Sequence, residues 1–369
     1  LIPHGGIGQF AKSFCELMDQ HNIKVDIITD KEPKDNDFVK SLKANVIYPS
    51  DSLSYTTHSN IFMYGDTFCY ERMANFRNAI IKALEHNTYE AFICNTYESV
   101  QVASTMGLED VIQIIAYTHL ESQIFKDTKN PFLHSTNEMM LKQLECNGIT
   151  IGTQSKFNQL ETGGYHLPIP ITERGLLLEH DKPREGVLFI GRWEEGKNPE
   201  LYLDLIEQTK LPARVMTNSN GAKKFEKAFN EAGITDYEIK AGIVGQEKVD
   251  FIKSCSAFFM PSLRENYPFA FLECLGHMPC VVLDNQDWSD NFDSKYFYKV
   301  NIKDAAETIK MAYKTVQPIE ALEYVRQLDD NVSEIWIKFL DEFVGRRSNT
   351  NSAKINAYET VCYRDYIID

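Results

Sequence analysis

Short apolar runs alternate with stretches of helical periodicity along most of the chain. Runs of four to eight mainly apolar residues predict buried β-strands, and apolar positions that recur every three to four residues predict helices packed on them. In the first half, the predicted strands are residues 24–29, 45–48, 60–64, 91–95, 111–118 and 149–153, and the predicted helices are residues 9–20, 70–86 and 138–145. This alternation is typical of an α/β fold whose parallel sheet is covered on both faces.

The alternation returns in the second half, after a segment with three prolines and no helical period, residues 165–183. The predicted strands here are residues 186–193, 213–218, 237–244, 257–261 and 280–284, and the predicted helices are residues 198–208, 223–232, 247–254 and 269–276. We therefore predict two doubly wound, Rossmann-like parallel-sheet domains.

The predicted organisation has four parts. These are an N-terminal domain (1–165), a linker (166–185), a C-terminal domain (186–330) and helices that cross back toward the first domain (331–369). A glycine-rich turn and a helix open the printed sequence with no strand before them, so we expect that the first strand is missing from it.

Composition and charge narrow the class of protein. A chain of 369 residues is long enough for two ordinary domains. No apolar stretch approaches the roughly 20 residues that span a bilayer, so we expect no transmembrane segment. The eight cysteines form no C-x-x-C pair, which indicates buried free thiols in a reducing cytoplasm. A net charge of −15 repels polyanions and argues against a surface that coats nucleic acid.

The distinctive glycine and charged residues lie where predicted strands end, the edge at which parallel sheets bind ligands. The segment HGGIGQF contains Gly5, Gly6 and Gly8, whose backbone can approach a ligand closely, although an ordinary structural turn is equally consistent with it. The segment IGRWEEGKN contains Arg192 and Lys197, spaced so that both cations can reach one diphosphate. The alternative is a pair of solvated surface charges.

Two glutamates lie eight positions apart in PSLRENYPFAFLECLGH. Glu265 is predicted in a loop after a strand, and Glu273 in the helix that follows, with Pro268 in the first helical turn. Carboxylates at these positions can accept hydrogen bonds from sugar hydroxyls on either side of a phosphate at the helix N-terminus. The alternative is that glutamates in the first turns complement the helix dipole.

In order and in position, the three motifs resemble those of retaining nucleotide-sugar glycosyltransferases with the GT-B fold, especially glycosyltransferase family 4. The resemblance implies two Rossmann-like domains that face each other across a cleft in which a sugar nucleotide binds. In this arrangement residues 1–165 form the acceptor side and residues 186–330 bind the nucleotide sugar. It implies that Glu265 holds the transferred sugar and Glu273 the ribose. It further implies a donor contact near Asn266 and Tyr267, and a histidine near the reacting carbon, for which IIAYTHLES supplies His119.

The sequence departs from this family in two places. Where many relatives have Gly-Phe-Gly after the first glutamate, this chain has Asn266-Tyr267-Pro268, and Pro268 lacks a backbone donor. Leu120 stands where relatives often carry an acidic residue after the histidine. These differences leave the identity of the sugar open.

The activity that the resemblance implies is metal-independent transfer of a hexosyl or pentosyl group, with retention, from a nucleotide sugar, in particular a UDP-sugar, to a hydroxyl. No cofactor is expected, and no metal site is predicted. The residues expected to act in catalysis are Arg192, Lys197, His119 and Glu265.

For the acceptor, VIQIIAYTHLESQIF and the G-R-x4-K segment are similar to parts of bacteriophage DNA alpha-glucosyltransferases. This similarity suggests a hydroxylated pyrimidine in phage DNA, modified in the host cytoplasm and extruded from the duplex. The cations suggested for DNA contact are Arg72, Arg77, Lys126 and Lys129, and the alternative is an ordinary solvated face. A glycan, lipid or small-molecule acceptor, a sugar-nucleotide epimerase of the same fold and a catalytically silent binding protein stay open as alternatives.

Overall fold

A computed structural model describes most of the chain. It covers residues 6–34, 36–54, 70–95, 97–118, 148–154, 156, 159, 163–170, 184–263, 265, 267–284 and 287–348. The strand predicted at 60–64 and the helix predicted at 138–145 lie outside these residues. The described residues form two compact units. One contains those up to Pro170 together with those from Val332 onward, and the other contains those from Arg184 to Asn331.

The first unit contains parallel strands with helices between them. The strands are β1 (Asp26–Ile28), β2 (Asn45–Ile47), β3 (Ala91–Cys94), β4 (Gln113–Thr118), β5 (Thr150–Thr153) and β6 (Tyr165–His166). The helices are α1 (Gly6–Gln20), α2 (Asn36–Ser41), α3 (Tyr70–His86) and α4 (Tyr97–Thr105). β3 to β6 form a parallel sheet in sequence order, and β1 pairs with β2 in parallel.

The second unit is built around a six-stranded sheet of parallel strands. Its strands are β7 (Val187–Ile190), β8 (Ala213–Thr217), β9 (Tyr237–Ala241), β10 (Ala257–Met260), β11 (Cys280–Leu283) and β12 (Tyr298–Val300). The helices are α5 (Pro199–Thr209), α6 (Ser219–Glu231), α7 (Gly245–Ser254), α8 (Phe269–Leu275), α9 (Ala305–Lys314) and the start of α10 (Ile319–Ser348). The predicted α/β class with parallel sheets is therefore confirmed.

The strand order of the second unit is that of a dinucleotide-binding Rossmann sheet. From one edge to the other the strands run β9, β8, β7, β10, β11, β12, which is the order 3-2-1-4-5-6. The direction of winding reverses between β7 and β10. In open α/β sheets, ligands bind outside the carboxyl ends of the strands at this reversal.

The central strands are buried on both faces, which explains their nearly continuous apolar sequences. Every residue of β10 and β11 is buried. On one face of the sheet, Phe189, Tyr202 and Phe225 pack in a common aromatic core. The Tyr202 hydroxyl donates a hydrogen bond of 2.7 Å to the carbonyl of Val187, so this buried polar group is satisfied.

The last part of α10 belongs to the first unit. Its buried Trp336 packs against other residues of that unit. The indole Nε1 donates a 2.7 Å hydrogen bond to the carbonyl of Pro168. The ring centroid lies 4.9 Å from that of Phe14 and 5.4 Å from that of Tyr117. α10 begins at Ile319, well before residue 331, where the C-terminal helices were predicted to begin, and its residues Ala321, Leu322 and Val325 are buried.

The glycine-rich opening is helical rather than a turn. α1 begins at Gly6, so Gly6 and Gly8 lie in its first turn, whereas a helix was predicted only from residue 9. Glycine can adopt helical angles at a cost of about 0.5–1 kcal/mol relative to alanine, and N–H groups of a first turn have no partner within the helix. The expectation of a tight turn here is wrong for the described residues, and Gly5 lies outside them.

The cysteines that the structure describes are free and buried: Cys15, Cys94, Cys255, Cys274 and Cys280. Burial raises the pKa of Cys15, Cys94 and Cys255 to about 12. These thiols are therefore protonated and unreactive at neutral pH. None of the described helices is both long and apolar enough to cross a membrane.

Candidate functional site

The loops that follow β7 and β10 meet at the reversal of the second sheet. β7 and β10 are neighbouring parallel strands, so their carboxyl ends lie side by side. The backbone N–H of Leu263, after β10, donates a 2.9 Å hydrogen bond to the carbonyl of Gly196, after β7. The two loops that carry the predicted donor motifs are therefore joined directly.

In the loop after β7, Lys197 is positioned by a short turn with a defined backbone conformation. A 3₁₀ turn, Glu195–Lys197, is followed by Asn198 in the left-handed conformation with φ 50°, and Pro199 then begins α5. Asparagine adopts this conformation more readily than most residues. A Cβ atom added to Gly191 would lie 3.2 Å from Cζ of the Phe189 ring and 3.4 Å from Lys197 Cγ, so a larger residue there would crowd the ring and contact the lysine stem.

Lys197 forms an ion pair with Glu265 across these loops. The lysine Nζ contacts Glu265 Oε1, and the two side chains are 25% and 11% exposed. Their separation of 68 residues shows that the pairing results from the strand order. The structure thus brings together two of the residues predicted to act in catalysis.

Arg192 forms its ion pair with a different residue, Glu194. Its guanidinium Nη2 is 3.0 Å from Glu194 Oε1, and its side chain is 66% exposed. An exposed ion pair of this kind typically contributes only about 0–1 kcal/mol, so the guanidinium can leave it at little cost. In this structure Arg192 is thus a largely solvated surface charge, which is the alternative given for it from the sequence.

Glu273 also has a cationic partner, which the sequence did not indicate. Its Oε1 contacts Nζ of Lys248, which lies in the first half of α7, and Glu273 lies in the following helix, α8. The side chains are 14% exposed for the lysine and 11% for the glutamate. Lys248 stands outside all three motifs, and nothing in its spacing distinguished it from a solvated helix residue.

The side chain of Tyr267 belongs to the core of the second unit. It is buried, its ring centroid lies 5.8 Å from that of Phe292, and burial raises the pKa of its hydroxyl. Only its backbone is therefore suited to a ligand contact. Pro268 is the residue before α8 rather than its first helical residue, since its ψ of 99° is extended.

Several residues implied by the resemblance are not placed beside this site. Gly5, His119 and Asn266 lie outside the described residues, although β4 ends at Thr118, directly before the histidine. Gly6 and Gly8 lie in the first unit, in α1. Their roles stay predictions.

One of the four cations suggested for DNA contact already has a partner. Arg72 Nε is 3.4 Å from Oδ2 of the buried Asp30, and its guanidinium carbon lies 5.4 Å from the centroid of the Phe76 ring. The Arg72 side chain, 24% exposed, is therefore already engaged by an acidic partner in this structure. Arg77 is exposed, while Lys126 and Lys129 lie outside the described residues.

The described residues include no group of three or more His, Cys, Asp or Glu side chains arranged to hold a metal ion. Transfer without a metal or another cofactor stays a prediction.

The chain was compared with protein families, with curated proteins and with solved structures. No family model matches it, and no curated protein matches it. Sucrose-phosphate synthase from Thermosynechococcus elongatus is similar in structure, with a TM-score of 0.73, 15% identity and coverage of 93% of this chain and 94% of that one.

Two further structures show the same architecture. HepE of Anabaena, solved with UDP and glucose, has a TM-score of 0.67 at 10% identity and covers 92% of this chain and 96% of its own. A glycosyltransferase from Rickettsia africae has a TM-score of 0.64 at 9% identity, with coverage of 95% and 97%. Together with the parallel sheets of the two units, these likenesses confirm the predicted fold class, two Rossmann-like α/β units of the GT-B type.

Proposed function

We propose that the protein is a retaining glycosyltransferase that uses a UDP-sugar as donor. The observation that carries this proposal is the Lys197–Glu265 pair at the reversal of a Rossmann-ordered sheet, where a phosphate and a sugar are expected to bind. The similarity to HepE, whose structure contains UDP and glucose, supports the choice of donor.

In this proposal, Lys197 and Arg192 bind the donor diphosphate. Arg192 turns from its exposed pair with Glu194, and the Lys197 ammonium shifts from Glu265 toward a phosphate oxygen. A guanidinium binds two phosphate oxygens in a planar fork, while an ammonium acts as a compact point charge. The two cations therefore have complementary roles on one diphosphate.

Glu265 and Glu273 bind the two sugars of the donor. Glu265, at the loop after β10, accepts hydrogen bonds from hydroxyls of the transferred sugar. Glu273, further along in α8, accepts them from the ribose. Both carboxylates are largely buried, which strengthens hydrogen bonds to a ligand that displaces the remaining water.

The proposed reaction breaks the bond between the anomeric carbon and the phosphate oxygen. The sugar gains oxocarbenium character while negative charge grows on UDP, and Lys197 and Arg192 stabilise that charge. The acceptor oxygen forms the new bond on the face from which UDP leaves, and a phosphate oxygen of the leaving UDP takes the acceptor proton. The configuration at the anomeric carbon is thus retained, and this scheme assigns no step to a metal.

We assign the acceptor to the first unit, with His119 near the reacting carbon. The acceptor classes are a hydroxylated pyrimidine in phage DNA and, as the alternative, a glycan, lipid or small molecule. The pairing of Arg72 with Asp30 makes this cation less available for contact with DNA phosphates, which counts against the DNA acceptor.

The test is UDP release from a panel of UDP-sugars, measured with no acceptor, with unmodified DNA, with 5-hydroxymethylcytosine DNA and with glycan acceptors. Release that requires one acceptor supports transfer and identifies the acceptor class. The product anomer, read by NMR, decides retention against inversion. An epimerised donor without any acceptor would instead show a sugar-nucleotide epimerase. Binding without either reaction would show a silent binding protein, and no binding of any UDP-sugar would overturn the proposal.

Replacing Glu273 by alanine is expected to weaken UDP binding about 10-fold or more, because a hydrogen bond to a charged group is worth roughly 1.5–3 kcal/mol. Turnover at saturating donor should change much less. Calorimetric titration with UDP measures the first effect and initial rates the second. Glu231→Ala, which removes an exposed carboxylate from α6, is the matched control. An unaltered UDP dissociation constant would show that Glu273 does not bind the ribose.

A further inference from the structure

The Lys248–Glu273 pair differs from an ordinary surface ion pair. Its side chains are 14% and 11% exposed, whereas those of Lys227 and Glu231 on α6 are 76% and 67% exposed. The partners lie on successive helices, 25 residues apart, so the contact depends on how α7 and α8 pack on the sheet. Each charge is therefore held in a defined place.

Stability alone does not account for this pair. Taking two charges out of water carries a desolvation penalty that can exceed their mutual attraction, and an apolar pair of similar size is often as stable. Lys248 also lies near the N-terminus of α7, where the helix dipole disfavours a cation. A cation kept at an unfavourable position, against a carboxylate beside a proposed ligand site, indicates a functional constraint.

We propose that Lys248 is a positioning residue that orients the Glu273 carboxylate toward the ribose hydroxyls of the nucleotide. The inference rests on the proposed function and goes beyond it by adding a residue outside the motifs. A glutamate side chain has several rotatable bonds, and a bound ammonium restricts them before the ligand arrives. Less ordering then remains to be done on binding, which raises affinity for the nucleotide.

This role makes a prediction that a merely structural role does not. If Lys248 acts through Glu273 on the ribose, its loss matters only for nucleotides that have ribose hydroxyls. Lys248→Met should weaken binding of UDP about 10-fold and leave binding of 2′,3′-dideoxyuridine diphosphate unchanged. Lys227→Met, which breaks the exposed pair on α6, should change neither.

Calorimetric titrations of wild type, Lys248→Met, Glu273→Gln and the double variant with both nucleotides provide the test. Because the two residues act as one unit, the double variant should bind UDP no more weakly than Glu273→Gln alone. If Lys248→Met does not fold, the comparison of Glu273→Gln with the double variant decides the question. In the double variant neither charge of the pair remains.

Three outcomes would overturn the inference. Equal weakening of both nucleotides would show that Lys248 contacts the phosphates or only supports the fold. Unchanged UDP binding in Lys248→Met, or a further loss in the double variant, would show that it does not act through Glu273. Failure of the wild type to bind UDP at all would overturn the proposed function itself and is recognised before any variant is measured.

Discussion

Replacing Lys197 by methionine is expected to lower kcat about 100- to 1,000-fold, because removing one preorganised group that stabilises developing charge typically costs about 2.7–4 kcal/mol. Methionine preserves the apolar stem that passes Gly191 and removes only the cation. Initial rates of UDP release at saturating donor and acceptor measure the effect.

Two controls separate this effect from a damaged fold. Lys197→Met leaves the largely buried Glu265 without its cation, so thermal unfolding must be compared with that of the wild type. Lys227→Met removes an exposed lysine of the same unit and should retain full activity. Unchanged turnover in a folded Lys197→Met protein would show that this lysine does not stabilise charge on the diphosphate.

Replacing Glu265 by glutamine is expected to slow turnover without weakening UDP binding. Turnover should fall on the order of 10- to 100-fold, because hydrogen bonds from the transferred sugar to a charged group are weakened. UDP carries no transferred sugar, and its affinity should stay unchanged or rise, since Lys197 no longer has to leave a carboxylate for the phosphate. Rates and calorimetric titration with UDP measure the two effects separately.

The sign of the change in UDP affinity is the informative part of this experiment. If Glu265→Gln weakens UDP binding as much as it slows turnover, Glu265 serves only to hold Lys197 in place. Glu231→Gln, on the exposed face of α6, is the matched control for loss of a carboxylate. The two substitutions in the Lys197–Glu265 pair are thus distinguished by their different effects on turnover and on UDP affinity.

Much of the second unit followed from local pattern. The predicted strands and helices between residues 186 and 284 are present in the predicted order, with ends that differ by a few residues. Burial on both faces makes parallel strands apolar throughout, which is a strong signal. In this unit β12, which has only three residues, and α9 were not predicted.

The sequence indicated candidate site residues where charged side chains are concentrated in a short segment. Gly191, Arg192 and Lys197 share one loop, and Glu265 lies one loop away at the neighbouring strand end. Lys248 was missed because α7 follows β9, an edge strand three places from β10. Only packing of α7 beside α8 brings its ammonium to Glu273.

Local sequence was enough to establish the order of strands and helices and which loops carry charged and glycine residues, because periodicity and turn chemistry depend on near neighbours. It did not specify which charges meet. Lys197 joins Glu265 and Lys248 joins Glu273 because the sheet places β7 beside β10 and sets the packing of the helices on it. Contacts over such separations arise only when the whole sheet has formed.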